Sequence, residues 1–155
     1  MDGPGTIVVG VDGSENARQA LAWAIREAAA HGDRLRVVTT WRLPAVVYGA
    51  PGLAMPDTPT LEGLEAAARD IAEAAAAEAR AGGVEADAVV REAQAADALI
   101  DLAADADLLV VGSRGHGGFT GLLLGSVSAQ CAHHAPCPVM IVRRGAAHGR
   151  PGGQS

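Results

Sequence analysis

Short apolar runs alternate along the chain with longer segments in which apolar residues recur at helical spacing. The first run, TIVVGV, is rich in β-branched residues and carries no charge, as expected of a strand buried in a parallel sheet. Four further runs have the length of strands. The predicted strands cover residues 6–11, 35–41, 84–91, 108–111 and 138–142, and the fourth ends at Gly112.

The intervening segments carry helix signals at their ends. Ser14 can cap the first helix with its hydroxyl group and Gly32 can end it. The predicted helices run from Ser14 to Gly32, from Thr58-Pro59 to Gly82-Gly83, from Gln94 to Ala106 and from Ser126 to His134. Because helices between successive strands require crossover connections, the pattern predicts an α/β fold: a Rossmann-like, doubly wound, five-stranded parallel sheet with four helices.

Two segments lack this periodicity. Residues 44–59 contain four prolines and two glycines, which predicts a loop, and a loop of this length inside a domain is more often functional or mobile than incidental. The segment from Gly145 to Ser155 is rich in glycine and predicts a disordered tail. Residues 1–144 are therefore expected to form one domain.

Composition narrows the possible functions. Aromatic residues make up 3% of the chain and alanine supplies much of its apolar content, which favours closely packed helices on a sheet. The net charge of −6 and the absence of a basic run argue against nucleic-acid binding. All basic residues are arginine, so a P-loop lysine and a Schiff-base lysine are both excluded.

The cysteine content and the search for targeting or membrane segments predict the cellular location. Cys131 and Cys137 are too few for a disulfide framework, and the first residues lack the pattern of a signal peptide. Residues 115–142 carry no Asp, Glu, Lys or Arg, but glycines, histidines and prolines interrupt them, so we expect no membrane span. The sequence predicts a soluble cytoplasmic protein.

The residues at the predicted strand ends suggest an anion site. In open parallel sheets ligands bind beyond the carboxyl ends of the strands, here at Asp12, Thr40 and Gly112. The segment Gly112-Ser113-Arg114-Gly115 leaves the fourth strand, and Gly125-Ser126 opens a helix. Glycines let backbone N–H groups approach a phosphate, and a helix N-terminus adds unpaired N–H groups. Arg114 could add a cation or be a solvated loop side chain.

This segment resembles a known family. Its spacing, Gly-x2-Gly-x9-Gly-Ser, matches the ATP-binding signature of universal stress proteins. The segments VVGVDGSENA, DLLVVGSRGHGG and LLLGSVSAQCAHHAPCPVMIV are similar to that family too. The resemblance implies the strand order 3-2-1-4-5, which would bring Asp12 close to Gly112.

The resemblance also implies roles for individual residues. Asp12 corresponds to an acid near the ribose, the phosphates or a divalent ion such as Mg²⁺ or Mn²⁺. Adenine would lie against Gly10 and Val11 and contact the backbone of Thr40. The ribose and phosphates would lie in the loop of Gly112, Ser113, Arg114, Gly115 and His116, and on the turn of Gly125, Ser126 and Val127.

Structural alternatives stand beside these roles. Asp12 could simply hold the turn before the first helix, and Ser126 could be only a helix N-cap. The spacing of Cys131, His133, His134 and Cys137 fits no common zinc site, so packing is favoured for them. The segment after Gly115 begins like a dinucleotide fingerprint, but Thr120 replaces its third glycine.

These observations lead to one functional hypothesis with alternatives. We expect a regulatory, ATP-binding stress-response protein that acts on an unidentified protein partner, and the resemblance implies a homodimer formed partly through the last strand. The alternatives are slow ATP hydrolysis or adenylate transfer with Asp12 holding the metal, and a signalling dimer that binds a different adenine nucleotide, such as cyclic AMP, or none. No arrangement of catalytic residues is recognisable.

Overall fold

The computed structural model describes residues 3–43, 60–114 and 124–143. Several sequence predictions fall outside these ranges. They are the loop at 44–59, the helix start at Thr58-Pro59, the site residues Gly115 and His116, and the tail from Gly145.

The described elements alternate between strands and helices, as predicted. In chain order they are β1 (Thr6–Gly10), α1 (Glu15–His31), β2 (Arg34–Trp41), α2 (Leu61–Ala81), β3 (Ala86–Glu92), α3 (Ala95–Leu102), β4 (Leu108–Gly112), α4 (Ser126–His134) and β5 (Val139–Val142). The strands form one parallel sheet in the order β3-β2-β1-β4-β5. The predicted fold class and strand order are confirmed.

Some predicted element ends are wrong. Val84 lies outside β3, because its N–H group donates to the carbonyl of Ala79 and closes the end of α2. Helix α3 ends at Leu102 rather than at Ala106, since the next residues form turns. Thr60 caps α2 by accepting a hydrogen bond from the N–H of Gly63 at 2.9 Å, so this helix begins at Leu61.

Two apolar layers hold the helices on the sheet. Helices α1 and α2 pack on one face, and α3 and α4 pack on the other. The packing side of α2 consists of small residues, with Ala72, Ala76 and Ala79 completely buried. Small side chains allow the helix to approach the sheet closely, in agreement with the alanine-rich composition. Within the described ranges, no helix combines the length and apolar character needed to cross a bilayer.

The close packing of α2 gives a first prediction. Ala76→Leu is expected to lower the free energy of unfolding by about 1–3 kcal/mol, because the added carbons would enter a filled layer. Ala76 is 0% exposed, whereas the adjacent Ala77 is exposed and offers a matched control. Urea denaturation of Ala76→Leu and Ala77→Leu measures the difference. Equal stability of the two variants would contradict tight packing of α2.

Candidate functional site

The strand order of the sheet reverses between β1 and β4. The carboxyl ends of these two strands mark that point. The two strands pair in parallel, with Ile7 opposite Leu108 and Val9 opposite Val110. Strand β1 also pairs with β2, and β4 pairs with β5. Chains that leave β1 and β4 therefore turn to opposite faces of the sheet and leave a crevice between them.

The segment after β1 is a hydrogen-bonded turn. Val11 donates its N–H to the carbonyl of Val38 at 2.9 Å and thereby extends the contact with β2. The carboxylate of Asp12 accepts a hydrogen bond from the N–H of Ser14 at 2.9 Å, and Ser14 caps α1 by accepting from the N–H of Ala17. Asp12 therefore holds this turn, and its contact with a ligand stays a prediction.

Ser113 joins three parts of the site. Its N–H donates to the carbonyl of Val142 at 2.8 Å. Its own carbonyl accepts hydrogen bonds from the N–H of Gly125 at 2.6 Å and from the hydroxyl of Ser128 at 2.8 Å. The buried side chain accepts a hydrogen bond from the amide of Asn16 at 3.3 Å. Ser113 thus shapes the site from within the protein.

Helix α4 begins with a glycine cap. Gly125 is the N-cap residue, with extended backbone angles and no side-chain hydrogen bond to the first turn. The interpretation of Ser126 as the N-cap is wrong, because Ser126 is the first helical residue and is exposed. The N–H groups of Ser126 and Val127 have no carbonyl one turn earlier in the helix, so they can bind an anion.

The glycines of the site lie close to other protein atoms, with the firmest backbone contact at Gly112. A Cβ on Gly112 would lie 3.0 Å from the backbone of Asn16, and a Cβ on Gly10 would lie 2.9 Å from the side chain of Leu99. A Cβ on Gly125 would lie 3.3 Å from the Cα of Arg114. The sequence points to these positions, but at Gly112 the structure gives a reason other than approach to a phosphate: helix α1 crosses β4 there.

A pocket lies beside this crevice, at the ends of β2 and β3. It has a volume of about 430 Å³ and is lined by Thr40, Trp41, Arg42, Ala93, Gln94 and Ala95. Gln94 is the N-cap residue of α3, and its side chain makes no capping hydrogen bond. Thr40 therefore lines a shallow, open depression at the end of β2, and its contact with adenine stays a prediction.

The predicted site residues fall into three groups. One group lies around the ends of β1 and β4: Gly10, Val11, Asp12, Gly112, Ser113, Arg114, Gly125, Ser126 and Val127. Thr40 lies on the flanking strand β2, and Gly115 and His116 are outside the described ranges.

Two buried polar residues near the ends of β4 and α4 were not predicted from the sequence. Asn16 is 9% exposed and Ser128 is 1% exposed. Asn16 is the only asparagine of the chain, and it follows Asp12 and Ser14 at alternate positions. This pattern could have identified it as a residue of the site. Ser128 lies in the first turn of α4 and had no comparable signal.

The cysteine and histidine residues near the end of the chain occupy different environments. Cys131 is completely buried between α4 and the sheet, and this burial, with the nearby Cys137, raises its pKa to about 11. His133 and His134 are exposed in the last turn of α4. In the part of the chain that the structure describes, no three His, Cys, Asp or Glu side chains are grouped as metal ligands.

Comparison with known proteins relates this architecture to a family. The model of the universal stress protein family matches residues 4–143. A universal stress protein of Thermus aquaticus is 38% identical over 140 residues, which cover 89% of this chain and 98% of that protein. A universal stress protein of Mycolicibacterium smegmatis is 40% identical over 139 residues. The match covers 88% of this chain and 45% of that protein, so the chain spans about half of that relative.

Two solved structures show the same fold and contain nucleotides. A universal stress protein in complex with cAMP is 31% identical, with a TM-score of 0.65 and coverage of 92% of this chain and 98% of that one. A universal stress protein from Archaeoglobus fulgidus in complex with dAMP is 26% identical, with a TM-score of 0.64 and coverage of 88% and 96%. Since the family model spans nearly all of the described residues, the chain belongs to the universal stress protein family.

Proposed function

We propose that this chain binds ATP in the crevice between β1 and β4 and serves as a cytoplasmic, regulatory stress-response protein. The observation that carries the proposal is the first turn of α4. Its cap is a glycine without a side chain, and Ser113 fixes that cap at the end of β4. Unpaired N–H groups beside a parallel-sheet crevice suit a phosphate. The cAMP and dAMP complexes of similar structures support an adenine nucleotide.

The described residues suit separate parts of the nucleotide. The N–H groups of Ser126 and Val127, and the Ser126 hydroxyl, would hold phosphate oxygens without any lysine. The Cα of Arg114 lies close to Gly125, and the side chain of Arg114 would add a positive charge for the phosphates. Adenine would lie toward Gly10, Val11 and Thr40. Gly112 and Ser113 would shape the floor, and Gly115 and His116 would complete the phosphate loop.

A divalent cation fits this site only together with the phosphates. The turn after β1 provides one carboxylate, that of Asp12, and no group of three acidic, His or Cys ligands occurs among the described residues. Mg²⁺ and Mn²⁺ accept this arrangement, since such ions commonly bind one carboxylate, water and phosphate oxygens. Asp12 is the residue that would hold the ion.

Trp41 provides a direct test of binding. It lines the pocket beside Thr40, and Trp23, the other tryptophan, lies on α1 with Arg26 4.3 Å above its ring. In a Trp23→Phe variant we expect Mg-ATP to change the remaining fluorescence and to saturate. Isothermal titration of the wild type should show about one nucleotide per chain. The absence of both signals would reject the proposed function.

Cyclic AMP is the second candidate ligand, because a structure 31% identical to this chain contains it. Competition distinguishes the two ligands. If ATP is preferred, cyclic AMP should displace a labelled ATP analogue only at much higher concentration, since it lacks the β- and γ-phosphates that the α4 N-terminus would bind. Displacement by cyclic AMP at lower concentration would favour the signalling alternative.

Assembly and turnover follow from the same proposal. Strand β5 pairs on one side with β4, and Val139, Met140 and Ile141 are only partly buried. These features support a homodimer formed partly through β5. A protein partner would recognise a nucleotide-dependent change at residues 44–59 or 116–124, which the sequence predicts to be loops. Any hydrolysis is expected to be slow.

A further inference from the structure

We propose that Asn16 is a positioning residue of the nucleotide site and that it fixes the start of α4 at a cost in stability. The inference rests on the proposed function for its consequence in binding. It concerns a residue of α1 that the family resemblance did not assign. Its physical basis lies in the contacts of Asn16, Gly112 and Ser113.

Asn16 lies where α1 meets β4. It is the second residue of α1 and is 9% exposed. A Cβ on Gly112 would lie 3.0 Å from the backbone carbonyl carbon, the carbonyl oxygen and the Cβ of Asn16. The Asn16 side chain is therefore held against the end of β4 and has little room to choose another direction.

From this position Asn16 is linked to the phosphate turn. Its Nδ2 donates a hydrogen bond of 3.3 Å to the hydroxyl of Ser113. The carbonyl of Ser113 accepts hydrogen bonds from the N–H of Gly125 and from the hydroxyl of Ser128. Both of these groups belong to the cap and first turn of α4. Asn16 thus constrains, through Ser113, the N–H groups proposed to hold phosphate.

The arrangement leaves one polar atom unsatisfied. The buried Oδ1 of Asn16 has no hydrogen-bond partner among the described residues, and the same holds for the hydroxyl of Thr39 on β2. A buried carbonyl oxygen without a partner destabilises the folded state. A leucine has the same branched arrangement of side-chain heavy atoms, a larger volume and no such atom, so polar satisfaction alone would favour an apolar residue here. The presence of asparagine at this position is explained if the N–H donor of its side-chain amide holds Ser113 in place.

Substitution of Asn16 separates binding from stability. Asn16→Leu is expected to weaken Mg-ATP binding about tenfold, the loss of roughly one well-placed hydrogen bond. Its melting temperature should change little, because the cost of fitting the larger leucine opposes the gain from removing the unpartnered oxygen. Ser113→Ala should weaken binding as well, and the double variant should bind no more weakly than the worse single variant, because both act through one contact.

Thr39→Val is the matched control. Thr39 is 3% exposed and also carries an unpartnered hydroxyl, but it pairs with Val90 on β3, away from the phosphate turn. Its replacement should keep or raise the melting temperature and leave the dissociation constant unchanged. Equal loss of affinity in Thr39→Val and Asn16→Leu would overturn the assignment to Asn16.

A measurement without nucleotide keeps the inference independent of the proposed function. The N–H of Gly125 bonds to Ser113 at 2.6 Å, so Asn16→Leu should accelerate hydrogen exchange of the Gly125 amide while leaving the amides of β1 unchanged. Unchanged exchange at Gly125, or a lower melting temperature with unchanged affinity, would overturn the positioning role. Absence of nucleotide binding to the wild type would reject the proposed function alone.

Discussion

Gly112→Val is expected to lower the free energy of unfolding by about 2–3 kcal/mol and to abolish nucleotide binding. Even the first added carbon would lie 3.0 Å from the backbone of Asn16. Relief requires α1 to move away from β4, because backbone atoms cannot rotate aside as a side chain can. That movement would also break the contact between Asn16 and Ser113 and displace the start of α4.

A comparison of alanine variants isolates the backbone contact. A Cβ on Gly10 would lie 2.9 Å from a methyl group of Leu99, which belongs to a flexible side chain on the opposite face of the sheet. Gly10→Ala is therefore expected to cost less stability than Gly112→Ala, although the distance from the added Cβ to its nearest atom is slightly shorter at Gly10. Urea denaturation measures both, and titration with Mg-ATP follows binding. If Gly112→Val were as stable as the wild type, close packing of α1 on β4 would be disproved.

The fold was predictable because its signals are local. The strand β1 and the helix α1 were recognisable from β-branched residues, the Ser14 cap and Gly32, all within short stretches of sequence. Strand order is not local, and it came from the family resemblance. The errors at Val84 and at the end of α3 have a physical origin. Apolar residues and alanines can occupy a turn that packs on the core just as they can occupy a strand or a helix.

The places of the candidate site residues in the fold were predictable, but their contacts were not. Gly112 and Gly125 were chosen correctly as glycines of a strand end and a helix start, but both pack against protein atoms. Asn16 and Ser113 are 97 residues apart, and no periodicity links them. The cap of α4 was misplaced by one residue, because serine is a common cap residue and Gly125 offers no side-chain signal.

Correct placement of that cap leads to a test of the phosphate contact. Ser126→Pro is expected to weaken Mg-ATP binding roughly 10- to 100-fold, because it removes one backbone N–H group that would bind a charged oxygen, worth about 1.5–3 kcal/mol. Proline is favoured at the first helical position, and Gly125 before it has φ −75° and ψ 172°, extended angles that proline permits. Helix α4 should therefore remain folded.

Ser126→Ala separates the N–H group from the hydroxyl group. It keeps the amide and removes only the side-chain donor, so its loss of affinity should be clearly smaller than that of Ser126→Pro. Because Ser126 is exposed, neither change creates a cavity, and both melting temperatures should stay close to that of the wild type. Titration of the two variants with Mg-ATP gives the comparison. An equal reduction of affinity in both variants would mean that the hydroxyl, and not the backbone of α4, makes the contact. Unchanged affinity in both would remove the phosphate from this helix.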